Sequence, residues 1–429
     1  MRLLIYEDQF CSGLAPLALM RPVFELICGR ESLRKRLQRW FPKLSTGVRV
    51  RPVLAEVYAE QHPQISVNDL IGAQEQTTLL VNGRWVPELQ INPDRITLDH
   101  AGFVGTELAW ILLEPEELKL LCDDDFDSIL LRIAGMRRTA EAGGQIMRYP
   151  WDLVARNRLQ LIRDYFDFDV SNNPKFDHVQ VLGDPRDVYI SEAASIDPYV
   201  VLDARTGPIS VEQDVQIQSF TRIEGPCHIG RGTRLFRASI RGGTTIGEQC
   251  RVGGEVEESI LHAFVNKYHD GFLGHSYVCP WVNLGAMTST SDLKNDYSIV
   301  RVPLHGELTD TGQQKVGSFI GDHTKTAIDS VFNTGSSIGV MAMVLPGGRL
   351  LPRYIPSFCN VSFGELAADC SLDSWIATAA ATMERRGVTL TPAETRLIRR
   401  LYEESADDRR RTLDRVSEKH SRSFHPVQT

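Results

Sequence analysis

The sequence predicts an α/β domain followed by a parallel β-helix and a short helical extension, and three observations carry that reading. Aliphatic residues recur at a spacing of six through the middle of the chain: Val211, Ile217, Ile223, Ile229 and Leu235, then Ile240, Ile246 and Val252 after one deletion. Ile190, Ile196 and Leu202 precede them, and Ile320, Thr326, Phe332, Ile338 and Val344 resume the spacing after a long interruption. A period of six fits neither an α-helix nor one long strand; it is the hexapeptide pattern of a prism whose axis is filled by aliphatic side chains. Before residue 170, apolar strand-like runs alternate with helical stretches. After Phe363 the pattern turns helical.

In chain order, Arg2-Leu-Leu-Ile-Tyr6 reads as a buried first strand, followed by a loop and a helix rich in Arg34, Lys35, Arg36 and Arg39. Thr78-Leu-Leu-Val-Asn82-Gly83-Arg84 reads as a strand, residues 106–122 and 123–136 as helical, and 152–166 as a further helix. Ser171-Asn-Asn-Pro174 is a linker signal, so the first domain is 1–172 and the prism 173–360. Within the prism, residues 291–316 break the period and are expected to emerge as a loop, a candidate lid. The extension, 361–429, begins a helix near Ser371, stops it at Gly387, restarts at Pro392 and ends on a charged helix from Asp407 to Arg422.

Bulk properties exclude several classes. The formal charge is -8, from 47 Lys and Arg against 55 Asp and Glu, which argues against a general nucleic-acid or anionic-membrane surface. Any phosphate site must be local. The eight cysteines are scattered without a C-x-x-C pair, as expected of free thiols in a reducing cytosol. Acidic residues follow the N-terminus too early for a signal peptide, and no apolar run reaches the roughly 18 residues of a membrane span. A cytoplasmic protein is expected.

The chemistry concentrates in one stretch, Asn266 to Asn295, dense in histidine, asparagine and glycine. His275, following Gly274, is placed to take a proton from an incoming nucleophile near neutral pH, or to hydrogen-bond a neighbouring coil. His269, six residues earlier, is its rival and is expected to repeat the same coil position, with Asp270 or Asp292 orienting either ring.

This stretch, with Ile320-Gly-Asp-His-Thr and Phe332-Asn-Thr-Gly, resembles the acetyltransferase half of bifunctional glucosamine-1-phosphate acetyltransferase / N-acetylglucosamine-1-phosphate uridylyltransferase, in its divergent branch of sugar nucleotidyltransferases. Arg21-Pro22, Val81-Asn82-Gly83-Arg84 and Tyr149-Pro-Trp-Asp-Leu153 resemble that branch's N-terminal half. The resemblance implies a nucleotidyltransferase-like, Rossmann-like N-terminal domain and a left-handed β-helix that assembles as a homotrimer. It further implies acetyl-coenzyme A as co-substrate lying along the prism, an amino-sugar 1-phosphate as acceptor, and a nucleoside triphosphate with Mg2+ at the N-terminal domain. His275 takes the position of the catalytic base in the family's Gly-His motif, Asn283 that of an acceptor-binding asparagine, and Ala286 that of the alanine facing coenzyme A. Lys267, Tyr277 and Asp292 are expected acceptor contacts; Arg21 and Arg84 stand in for the phosphate-binding lysine, and Asn82 or Asp152 for metal-site partners. The chain departs from the family at Met287, where a glycine is usual, at Cys279-Pro280, and in lacking the Gly-rich nucleotide loop. Two rival readings follow: a nucleotidyltransferase whose prism only trimerises it, and a non-catalytic sugar-phosphate-binding scaffold.

Overall fold

The computed structural model describes residues 1–70, 76–88, 96–121, 125–168, 178–367 and 371–423. The linker expected at Ser171–Pro174 lies outside them, as do Asp123 and Asp124. Contacts group the chain into two units: Met1–Leu14, Met20–Ile27 and Glu31–Tyr149 form one, and Ala15–Leu19, Cys28–Arg30 and everything from Pro150 form the other.

The first unit is built on a seven-stranded mixed sheet. Its strands are β1 (Arg2–Tyr6), β2 (Ser45–Arg49), β3 (Ser66–Val67), β4 (Thr78–Asn82), β5 (His100–Val104), β6 (Glu107–Leu113) and β7 (Arg138–Glu141), in the spatial order β7-β5-β6-β4-β1-β2-β3. β1 pairs in parallel with both β2 and β4, and every residue of β1 is buried, as its unbroken apolar run requires of a central parallel strand. The helical expectation for 106–122 is corrected here, because Glu-Leu-Ala-Trp-Ile-Leu-Leu forms antiparallel β6 between β4 and β5. Six of its seven residues are buried, so both faces of the strand are apolar and a 3.6-residue stripe had nothing to report. The expected helix over 123–136 is found as Phe126–Gly135, whose Leu130 and Ile133 pack with Leu108, Ile111 and Leu113.

The second unit is a left-handed parallel β-helix with helices attached. Its first face stacks Val188–Ile190, Ile209–Val211, Cys227–Ile229, Thr244–Ile246, Ile260–Leu261, Tyr277–Val278, Ser318–Ile320, Ser336–Ile338 and Tyr354–Ile355 in parallel register. The periodic aliphatic residues fill the axis: Val211, Ile223, Ile229, Ile240, Ile246 and Val252 have no exposed surface. Each such burial is worth about 1.5–3 kcal/mol. Successive coils bring residues about seventeen apart into register, as in Ile260 beside Tyr277 and Asn266 beside Asn283. Corner residues adopt positive φ, among them Phe264 (58°), Trp281 (63°) and His323 (58°), and their rings stack along the corner, Phe264 on Trp281 at 4.1 Å.

Helix α1 (Pro150–Asp167) docks on the first face: Asn157 Nδ2 donates to Gly243 O at 2.8 Å, and the Trp151 ring lies 6.1 Å from Phe319. The sequence reading keeps this helix with residues 1–172, whereas its contacts group it with the prism. The second face stacks Ser195–Ile196, Gln216–Ile217, Arg234–Leu235, Arg251–Val252 and Asn266–Lys267, and the third stacks Val201–Asp203, Arg222–Glu224, Ser239–Ile240, Glu255–Glu257 and Phe272–Gly274. Residues 291–316 leave the corner that follows the third face and form an antiparallel hairpin, Arg301–Leu304 with Glu307–Asp310. The extension forms α2 (Leu372–Glu384), capped by Ser371, α3 (Pro392–Glu404), opened by a Thr391/Glu394 capping box, and α4 (Ala406–Ser423). Trp375 and Tyr402 meet the Phe358 ring edge-on, which seats α2 and α3 on the end of the corner column. Among the described residues no helix is long and apolar enough to cross a membrane.

Candidate functional site

The histidine-rich stretch occupies two corners of one coil, and its two histidines face different chemistry. His275 stands at the corner between the third and first faces. Glu258 and Asp292 are each seventeen residues from it, so successive coils stack carboxylate, imidazole and carboxylate. Nδ1 lies 2.7 Å from Asp292 Oδ2 and Nε2 3.3 Å from Glu258 Oε2. Gly274 makes this approach possible, because a Cβ there would meet the Asp292 carboxylate at 2.6 Å and the Phe272 ring at 2.5 Å. Burial opposes a charge on His275, but the hydrogen bonds from Asp292 and Glu258 outweigh it and raise its pKa to about 9. In turn, the hydrogen bond from His275 leads in holding Glu258 below the usual carboxylate range, against burial. Both ring nitrogens of His275 are thus engaged by carboxylates.

His269 stands at the preceding corner, between the second and third faces. It is exposed, and its ring only leans on Tyr268, centroids 4.8 Å apart; among the described residues no hydrogen bond reaches the ring. The expectation that His269 repeats the coil position of His275 is corrected: six residues make one face, and a full coil needs about seventeen. Directly one coil away from His269 is Ala286, and Met287 N donates to Asp270 O at 2.9 Å. Met287 takes φ 62°, the conformation a glycine would favour, and turns its side chain outward, 53% exposed. It therefore does not force the turn away from that conformation. Asn283, on the adjoining second face, is partly exposed and accepts from Asn266 Nδ2 at 2.6 Å.

Other expected contacts are placed elsewhere. Lys267 is corrected from a surface contact to a core residue, 2% exposed, pointing inward in register with Val252. Its Nζ donates to Gly253 O at 2.7 Å and His269 O at 3.2 Å, and burial pushes its pKa down to about 8. Tyr277 is fully buried on the first face between Ile260 and Phe319, beneath α1, and is corrected likewise. Asp292 is committed to His275 rather than to an acceptor.

In the first unit, a cavity opens at the C-terminal ends of β1 and β4, lined by Asp8, Phe10, Asn82, Arg84, Glu107 and Asp127 among others. Parallel β1 and β4 lead to elements on opposite sides, which makes this the crevice where α/β sheets bind ligands. Arg84, however, is spoken for. Its Nε and Nη2 donate to Asp8 at 2.8 and 2.6 Å, its Nη1 donates to Met147 O, and its side chain is 1% exposed. Asn82 donates to Asp8 and Leu108 O and accepts from Arg84 N. Arg21 is partly exposed, and its carbonyl accepts from Arg51. Burial, with Asp8 close by, raises the pKa of Asp127. Asp152 belongs to α1 in the second unit. Among the described residues no group of three or more His, Cys, Asp or Glu is placed to hold a metal.

Residues 3–170 match the model of a family described as sugar nucleotidyl transferase. A bifunctional sugar-1-phosphate nucleotidylyltransferase/acetyltransferase of Sulfurisphaera tokodaii is 35% identical over 144 residues, 33% of this chain and 36% of that protein. A bifunctional protein GlmU of Jannaschia sp. is 35% identical over 107 residues, 24% of this chain and 23% of that protein. The chain is thus similar over parts of its length to bifunctional nucleotidyltransferase/acetyltransferase proteins. The matched stretches span only about a quarter to a third of those relatives' lengths. A solved structure of UDP-N-acetylglucosamine acyltransferase overlaps 56% of this chain and 83% of its own at 14% identity, with a TM-score of 0.22.

Glu258 was not among the site residues expected from the sequence. The signal was available in the seventeen-residue spacing of Glu258, His275 and Asp292, which a search for periods of six passes over.

Proposed function

We propose that this protein acts in sugar-nucleotide biosynthesis, transferring an acetyl group from acetyl-coenzyme A to the amine of an amino-sugar 1-phosphate at the prism corner that carries His269. The observation that carries this reading is an exposed imidazole, not held by any carboxylate among the described residues, one coil from Ala286. A general base must be within reach of the nucleophile. The His269 ring is open to a substrate, whereas the His275 ring is held between Asp292 and Glu258. In the step, the deprotonated amine attacks the thioester carbonyl and a C–N bond forms. The tetrahedral oxyanion collapses, the C–S bond breaks, and His269 relays the amine's proton to the departing thiolate. The reaction leaves N-acetylated sugar phosphate and coenzyme A, with no acyl-enzyme. The clamped His275 instead fastens Asp292, and with it the start of the 291–316 insertion, to the prism. A homotrimeric, cytoplasmic enzyme without nucleic-acid or membrane partners completes the reading. The family match over 3–170 supports a sugar-1-phosphate nucleotidyltransferase role for the first unit, a reaction that draws on Mg2+ and a nucleoside triphosphate; no step through the metal is assigned.

The deciding experiment is thiol release from acetyl-coenzyme A with glucosamine 1-phosphate by the native chain, His269→Ala and His275→Ala. Turnover lost in His269→Ala and largely kept in His275→Ala is the expected result. No release by the native chain with any amino-sugar phosphate sinks the transfer reading and leaves a nucleotidyltransferase with a prism scaffold, tested by nucleotide-dependent pyrophosphate exchange.

A further inference from the structure

The second face of the prism carries a column of outward side chains of which the transfer reading above uses only Asn283. Register stacks Arg234 beside Arg251, Arg251 beside Asn266, Asn266 beside Asn283 and Asn283 beside Lys325. At about 4.8 Å per coil, the column runs about 19 Å. Arg386, just past α2, joins it: its guanidinium donates to Gln249 O, lies 5.7 Å from the Phe264 ring, and has its pKa lowered by burial and by the charges of Arg251 and Arg234.

None of these cations has a carboxylate within ion-pair distance among the described residues. The third face shows the usual alternative, with Arg222 paired to Asp203 and Glu224, and Arg241 to Glu255. Lys325 is mostly enclosed yet partly exposed, and its ammonium donates to Trp281 O while two N–H groups stay uncommitted. Desolvation lowers its pKa to about 8, and no opposing charge restores it. Four unpaired cations gathered on a chain of net charge -8 make a surface that lacks an anion.

We propose that this column is an anion subsite for the phosphate groups of the transfer substrates, with Lys325, Arg251 and Arg386 as its cations and Asn266 and Asn283 as its amide donors. The identity of the ligand rests on the acetyl-transfer reading, since the same face ends at the corner holding His269 and Ala286. Two sources share the chemistry, the 1-phosphate of the acceptor and the phosphates of coenzyme A.

The test is calorimetric binding of inorganic phosphate, glucosamine 1-phosphate and coenzyme A to the full chain and to Lys325→Met, Arg251→Met and Arg386→Met, with glucosamine as the uncharged-phosphate control. A loss of about tenfold or more per variant is expected for the phosphate-bearing probe that uses the site. Loss confined to glucosamine 1-phosphate assigns the acceptor, loss confined to coenzyme A assigns the cofactor, and either supports the subsite. Lys325→Arg, which keeps the charge, should retain most of the affinity. Unchanged affinity for all three probes in folded variants, checked by circular dichroism, overturns the proposal, as does absence of binding to the native chain. If the native chain releases no thiol but binds phosphate through Lys325, the transfer reading falls and the subsite stands.

Discussion

His269 and His275 are six residues apart on one coil, yet one is an exposed imidazole and the other is held between two carboxylates. Along the chain, Gly274 before His275 only makes room for the approach of Asp292. The difference comes from what the coils above and below present: Ala286 at the His269 corner, Glu258 and Asp292 at the His275 corner. In a β-helix the chemistry of a residue is decided about seventeen positions away, and the strongest-looking motif can be an ion-paired strut.

The largest expected effect breaks the comparison outright. His269→Ala should lower kcat/KM for acetyl transfer by about 10²–10⁴-fold, the usual contribution of a general base, with folding unchanged. If His275→Ala shows that loss and His269→Ala does not, the two roles are exchanged. Next comes the clamp. A pKa raised from 6.5 to about 9 corresponds to roughly 3 kcal/mol of stability. Because the folded pKa lies above the unfolded one, that stability is fully present below pH 6.5 and is lost as pH rises to about 9. Thermal melts of the native chain should therefore fall across this window relative to His275→Asn; parallel profiles would remove the clamp from the account.

Gly274→Ala should cost about 1–3 kcal/mol, as expected of overpacking, because its methyl would push Asp292 off His275. Proton NMR would then show the His275 pKa moving down toward its ordinary value; a destabilised variant with that pKa unmoved would separate packing from the clamp. The smallest effect is Lys267→Met. The native lysine's folded pKa is depressed from 10.5 to about 8, so stability should rise as pH passes from about 8 to 10.5. The methionine variant should lack that rise and be at least as stable at pH 7, which denaturant melts at the two pH values would check.

Much of the fold was legible before any coordinates. The aliphatic residues from Ile190 to Val344 point inward because a six-residue side of the prism returns the same position to the axis each time, and that rule is written into the chain. The helix starts near Ser371 and at Pro392 were legible because start signals are local. Strand Glu107–Leu113 was not, since burial on both faces erases alternation.

The site was legible as a stretch but not as an arrangement. Composition singled out residues 266–295, and resemblance singled out Asn283 and Ala286. It could not say that Lys267 points inward, that Tyr277 lies beneath α1, or that Arg84 is closed onto Asp8. What the sequence alone determined is the prism, its period and the coil that carries the chemistry, because those depend on interactions between near neighbours and on burial of like residues. Which histidine is held between carboxylates, and which cations are left without one among the described residues, only the tertiary structure decided. Both are set by charges on neighbouring coils, at separations that no local pattern encodes.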